Sequence, residues 1–234
     1  MTESEIIESI IPFIDEFKAN SNLELEGSIG VFDGSKYTSG VDFNYFKALY
    51  TAFSSFETSP WSKKEEKSKF ASYVFHDQIR GRYEVKEKPV FVRKTALRKC
   101  DLKCTQRSYD IRLSLKQEVP LSNFIAKTAP DFVRLQERWS FTYKDSWRYD
   151  FTKVAAGTTK ELACSSQPVF EIEFEVLRHG HYFQSISSRE AAQHIVEKLT
   201  DLLGRFDSNY RPLPISLEIA KLWSSSDNAI GTTS

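Results

Sequence analysis

In the stretch VFEIEFEVLR, residues 169 to 178, Glu171, Glu173 and Glu175 alternate with Phe170, Ile172, Phe174 and Val176. An extended strand would put all three carboxylates on one face. Like charges in that position repel, and Glu is depleted in strands, so the pattern calls for either open solvent or a neutralising partner. Partners are available at alternate positions elsewhere. Glu24 and Glu26 share a face in NLELEGSIGVF (22 to 32), and Arg93 stands in VFVRKT (90 to 95). Asp110, Arg112, Ser114, Lys116 and Glu118 alternate in SYDIRLSLKQEV (108 to 119), as do Arg134, Gln136, Arg138 and Ser140 in FVRLQERWSFTY (132 to 143). Arg148, Asp150 and Thr152 do so in SWRYDFTKV (146 to 154). Carboxylate oxygens suit Mg2+ or Mn2+, and arginine presents paired donors that match phosphate oxygens. A polyphosphate with its divalent metal would use both.

The elements that must position these side chains are strands framed by helices. Residues 2 to 19 read as an amphipathic helix, with Thr2 and Glu5 as a capping box and Ile6, Ile7, Ile10, Ile14 and Phe17 at helical spacing. A second helix is expected over 41 to 53 with Asp42 as cap, and a third from Ser187 or Ser188 to a stop at Gly204. Between the second and third lie about eight alternating runs when the one at 22 to 32 is included, the others beginning at ASYVFHDQ (71 to 78) and RYEVKEK (82 to 88). SPWSKKEEKSKF (59 to 70) reads as a charged loop or helix end. Hairpin-like spacing favours a meander or barrel over βαβ units. Two architectures fit the alternation: a sheet with a solvated charged face, or a closed barrel with a charged interior and an apolar outside under the helices.

The chain has 234 residues, 40% of them hydrophobic, which suffices for one sizeable core. Its 32 basic and 32 acidic residues cancel, so a nucleic-acid partner would have to be met by a local basic surface. RGR (80 to 82) and RKTALRKCDLKC (93 to 104) are basic runs that fit either an RNA backbone or a solvated loop. Cys100, Cys104 and Cys164 make neither a disulfide framework nor a zinc module. His179 and His181 lack a third ligand nearby and read as strand-end residues. No leader pattern or apolar run of spanning length occurs, so no membrane association is expected. One domain over 1 to 223 is expected, with a disordered tail over 224 to 234.

LELEG as an acidic first strand, FEIEFEV as an acidic last strand, WRYDFTKV and the R-x-Q-x-R-x-S-F run before it, in this order from residue 24 to 175, resemble the metal-dependent mRNA 5′-triphosphatases of fungi, protozoa and large DNA viruses. These belong to the triphosphate tunnel metalloenzymes. The resemblance implies an α+β fold: a closed antiparallel β-barrel of about eight strands forming a hydrophilic tunnel, with packing helices outside. It further implies hydrolysis of the γ-phosphate of a 5′-triphosphate RNA end, the first step of mRNA capping. Glu24, Glu26 and Glu175 would hold Mg2+ or Mn2+. Arg93, Arg138, Arg134, Arg112, Arg148 and Lys116 would contact phosphate, Glu118 would orient water, and Asp150 would pair with Arg148. Glu171, Glu173 and Thr152 would support them. Ser28 stands where the E-x-E-x-K signature of the small-molecule branch requires Lys, and Gln136 occupies a position that is usually Lys in the fungal enzymes. The same fold could instead serve a general inorganic polyphosphatase or nucleoside triphosphatase, or a non-catalytic polyphosphate-binding barrel. The resemblance implies a separate guanylyltransferase partner; within these 234 residues no room for a fused one is expected. The expected location is nuclear, or cytoplasmic or virion if the protein is viral.

Overall fold

The computed structural model describes residues 3–55, 61–85, 87–104, 107–178 and 181–204; the expected Thr2 cap, His179 and the tail over 224 to 234 lie outside them. Nine strands occur among the described residues, in the order β1 (Leu23–Phe32), β2 (Tyr37–Ser39), β3 (Trp61–Val74), β4 (Ile79–Glu84), β5 (Val90–Leu102), β6 (Asp110–Pro120), β7 (Phe132–Tyr143), β8 (Trp147–Gly157) and β9 (Val169–Val176). All neighbours pair antiparallel, in the order β1-β6-β5-β4-β3-β7-β8-β9, and a further β9–β1 pairing closes the circle. The result is an eight-stranded barrel with β2 added on the C-terminal half of β1. Closure leaves the eight strands no free edge along their paired length.

Local sequence sets several of these connections. The β7–β8 hairpin turns on Lys144 and Asp145, both with φ near +50°, and Ser146 N donates to Tyr143 O at 3.1 Å. Two consecutive positive φ values make a turn whose twist matches that of the strands. The segment expected to be a charged loop or helix end over 59 to 70 is instead strand from Trp61 onward, because its alternate residues pair with β7 through Ser140, Arg138 and Gln136. The basic run over 93 to 104 belongs to β5 as far as Leu102.

The main core lies outside the barrel. Five helices are described: α1 (Glu3–Ala19), α2 (Phe43–Ser54), α3 (Lys160–Ser165), α4 (His181–Ser185) and α5 (Ser188–Gly204). Asp42 caps α2 by accepting from Tyr45 N at 2.9 Å. Ile10, Ile14 and Phe17 of α1, Phe46, Leu49 and Phe53 of α2, and Ile195, Leu199 and Leu202 of α5 pack on the outward residues of β1, β6, β7, β8 and β9. Gly27 on β1 lets α5 approach, since a Cβ there would lie 3.0 Å from Leu199 Cδ2. Each buried Leu, Ile or Phe contributes roughly 1.5–3 kcal/mol. No described helix is long and apolar enough to cross a membrane.

Candidate active site

The barrel encloses a cavity of about 220 Å³. Among the described residues its charged lining is Glu24, Glu26, Glu118, Asp150, Glu171, Glu173 and Glu175 against Arg80, Arg82, Lys94, Lys116, Arg134, Arg138 and Arg148. Phe70, Ser72, Val74 and Gln136 complete the wall on β3 and β7. The register explains the grouping. Glu26 stands opposite Glu175 across the β1–β9 ladder, Glu175 opposite Arg148, Glu173 opposite Asp150, and Glu171 opposite Thr152. Because strand side chains alternate, the partners facing the helices are Leu25, Ile172 and Phe174, the last stacked on Trp147 at 5.1 Å.

Apart from Arg80 and Arg82, these charges form three connected groups. Lys94 Nζ donates to Glu24 at 2.5 Å and Glu26 at 2.7 Å and lies 2.8 Å from Glu118. Glu26 also takes Lys116 Nζ. In the second group Arg138 donates to Asp150 (2.9 Å), Thr152 Oγ1 (3.1 Å) and Glu173 (3.5 Å), Arg148 to Asp150 (3.2 Å) and Glu175, and Ser140 to Asp150 (2.6 Å). Arg134 with Glu171 at 2.6 Å is the third. Gln136 Nε2 donates to Ser72 Oγ at 2.7 Å.

Burial dominates the electrostatics. It pushes the Glu24 carboxyl up to about 8 against the pull of Lys94, and the Glu175 carboxyl up to about 7 against that of Arg148. Burial and the nearby Glu26 raise Glu173 as well. Burial opposes ionisation of Glu26 too, yet Lys116 and Lys94 together outweigh it and hold that carboxyl below the usual range. Lys94 is desolvated, but Glu26, Glu24 and Glu118 keep it firmly protonated.

A scan of protein families matches residues 52–214 to the mRNA capping enzyme beta chain, the mRNA triphosphatase family. This chain belongs to that family. It is an RNA triphosphatase, a hydrolase of mRNA capping. Among solved structures, S. pombe Pct1 RNA triphosphatase is similar with a TM-score of 0.68 at 16% identity, over 84% of this chain and 91% of that one. Pct1 has also been solved in complex with the Spt5 CTD. The Mimivirus capping enzyme triphosphatase is similar with a TM-score of 0.60 at 14% identity, over 86% of this chain and 98% of that one. At such identity the likeness speaks for the tunnel fold. No curated protein sequence matches the chain.

The structure brings Glu24, Glu26, Glu175, Glu118, Lys116, Arg134, Arg138, Arg148, Asp150, Glu171 and Glu173 to the triphosphatase cavity, and Thr152 behind them, fully buried against Arg138. Two expected residues are elsewhere. Arg93 is exposed on the outer face, opposite Ile79 and Val119, and its neighbour Lys94 points inward opposite Glu118. Val90, Phe91 and Val92 fill both faces of β5, so alternation there does not fix which of the two basic residues faces the cavity. Arg112 has the inward parity but is taken by Asp101 at 2.6 and 2.8 Å and by the Tyr37 ring at 4.4 Å, outside the cavity lining. Lys94 was thus missed, as were Phe70, in the segment expected to be a charged loop or helix end, and Ser72, in the alternating run over 71 to 78. Arg80 and Arg82 were visible as the RGR motif, cleanly alternating with Ile79, Gly81 and Tyr83.

Among the described residues no three Asp, Glu, His or Cys side chains stand as a ready-made metal cage. The donor set nevertheless suits a hard divalent cation. Three carboxylate oxygens already surround one cationic nitrogen, that of Lys94, and burial holds Glu24 and Glu175 high even with Lys94 and Arg148 beside them, so a further cation would favour their ionised forms. Seven acids stand against seven bases in the lining, so once the carboxyls are ionised a bound triphosphate would leave the cavity with excess negative charge unless a cation entered with it.

Proposed function

We propose that this tunnel releases the γ-phosphate of triphosphate-ended RNA with a divalent ion, Mg2+ or Mn2+, held by Glu24, Glu26 and Glu175. The observation that carries the reading is the β1–β9 register, which sets Glu26 directly opposite Glu175 with Glu24 on the same face, in a cavity that also holds Lys116, Arg134, Arg138 and Arg148. A divalent ion supplies charge neutralisation at the phosphoryl oxygens.

The chain's own residues do the rest. Lys116, Arg134, Arg138 and Arg148 bind the phosphate oxygens and hold the chain of phosphates in line. Arg138 is fixed by Asp150, Thr152 and Glu173, so little rearrangement is needed as charge moves onto the leaving oxygen. Glu118, held by Lys94, orients the attacking water and takes its proton on a carboxylate oxygen. Glu171 positions Arg134 in the same way. No covalent intermediate is required, since phosphoryl transfer through a loose transition state depends on positioning and electrostatics.

Phosphate release from triphosphate-ended RNA, ATP and tripolyphosphate, measured with Mg2+ or Mn2+, tests the reading. Glu26→Ala is expected to abolish release while the barrel stays folded, because the carboxylate is placed for charge and not for packing. Near wild-type turnover in that variant at saturating Mn2+ would refute the metal assignment. The family's description as a beta chain supports a separate guanylyltransferase subunit acting on the diphosphate product; co-purification with such an enzyme is the check. The proposed location is nuclear, or cytoplasmic or virion if the protein is viral, which imaging of the tagged protein decides.

A further inference from the structure

The inner face of β3 and β4 differs from the rest of the tunnel. Phe70 is 8% exposed and points into a cavity otherwise dominated by charge. The Arg82 guanidinium carbon lies 3.9 Å from the centroid of its ring, and Arg138 approaches the same ring at 5.4 Å. Arg82 Nη2 is also held by Glu84 at 2.5 Å, yet its side chain remains 44% exposed. One edge of this guanidinium is therefore tied to a carboxylate and one side is backed by an aromatic ring. The rest of this flat, charge-paired cation is exposed and lines the cavity. Arg80, two residues earlier, also lines the cavity and is exposed.

What sets Arg82 apart from the phosphate-binding residues is the aromatic ring at its back and its exposed side chain, which make it a stacking surface. Unpaired bases stack on guanidinium planes and aromatic rings, and this tolerates any base because each has a π-face. The backing ring adds a cation–π contact that keeps the plane in place. We propose that Arg82, supported by Phe70 and Glu84, is a stacking platform for the first nucleobase of the RNA 5′ end. It holds that nucleoside beside the cavity while the triphosphate enters. The inference rests on the triphosphatase reading and deepens it: the platform makes the enzyme prefer a nucleoside-bearing triphosphate over a bare one.

The test uses the full chain with Mn2+ and two triphosphate-ended RNAs, one starting with adenosine and one with an abasic nucleotide, plus inorganic tripolyphosphate. Wild type is expected to show a KM about tenfold lower for the adenosine-started RNA than for the abasic one. Arg82→Lys, which keeps the charge and loses the plane, and Phe70→Leu, which removes the backing ring, are each expected to erase most of that difference. Their KM for the abasic RNA should move far less. Arg82→Lys is the safer variant, since its side chain is half exposed and its melting temperature should match wild type. Full base preference in Arg82→Lys, or equal KM for the two RNAs in wild type, would overturn the platform. Absence of phosphate release from all three substrates by wild type is a different result, and it would remove the triphosphatase reading together with the platform.

Discussion

Two walls of the barrel are built differently. On β1, β6 and β9 the inner face carries Glu24, Glu26, Glu118, Glu171, Glu173 and Glu175, and directly behind them Leu25, Leu115, Ile172 and Phe174 are buried under α1, α2 and α5. On β3, β4 and β5 the inner face is Phe70, Ser72, Val74, Arg80, Arg82 and Lys94. Behind β3, β4 and the first half of β5 the described residues form smaller aromatic contacts, such as Phe75 with Phe124 and Phe91 with Phe124. The carboxylates are crowded and desolvated, which works against folding, and the largest apolar packing stands back to back with them. The less crowded wall has no comparable cost to offset. Within single strands, then, one face favours the folded state and the other is placed for chemistry against it.

The largest effect expected from this contrast is in stability. Phe174→Ala should leave a cavity beside Trp147 and Tyr149 and cost about 3–5 kcal/mol. Phe91→Ala, in the shallower outer cluster, should cost clearly less, because Phe91 is only partly buried and its surroundings can relax into solvent. Denaturant unfolding of the two variants measures both. Equal losses would mean that the helix-covered side is not the dominant core.

Next comes activity on the inner face. Arg138 is tied to Asp150, Thr152 and Glu173, whereas Arg189 on α5 pairs only on the surface, with Glu8. Arg138→Ala is expected to lower kcat by roughly 10²–10³, the range typical of a lost electrostatic stabiliser. Arg189→Ala should stay near wild type, since exposed pairs contribute little. Comparable losses in the two would contradict the inward register of β7.

How far this division was legible depends on how cleanly each strand alternates. β1, β6, β7, β8 and β9 place a large apolar group at nearly every second position, so the two faces and the site residues on them could be read directly, from Glu24 to Glu175. In β5 the run Val90, Phe91, Val92 is apolar on both faces, and the reading chose Arg93 where Lys94 points inward. β3 defeats inspection for another reason: Lys67 and Lys69 face outward to Glu137, so its outer face is charged and its inner face holds Phe70. Arg112 shows a third limit. Parity places it correctly, but the irregular β5–β6 pairing between Ala96 and Arg98 sets Asp101 opposite it, and that carboxylate takes the guanidinium.

The smallest and most discriminating effect concerns the metal-free protein at different pH. Glu24 and Glu175 titrate at about 8 and about 7 in the folded state against an ordinary value of 4.5, so between pH 4.5 and 8 the folded chain binds more protons than the unfolded one. Stability then falls as pH rises through that window. Below 4.5 the sense reverses for Glu26, whose carboxyl is held low by Lys116 and Lys94. The melting temperature in chelator is therefore expected to drop by a few degrees from pH 5 to pH 8, and Mn2+ should restore it at pH 8, because a bound cation stabilises the ionised carboxylates. Glu173→Gln fixes one raised carboxyl in its neutral form. It should raise the chelator melting temperature more at pH 8 than at pH 5, while lowering activity through the loss of an Arg138 partner. If the wild-type melt in chelator rises from pH 5 to pH 8, the carboxylates of this wall are solvated, and the contrast with the β3–β4 wall disappears.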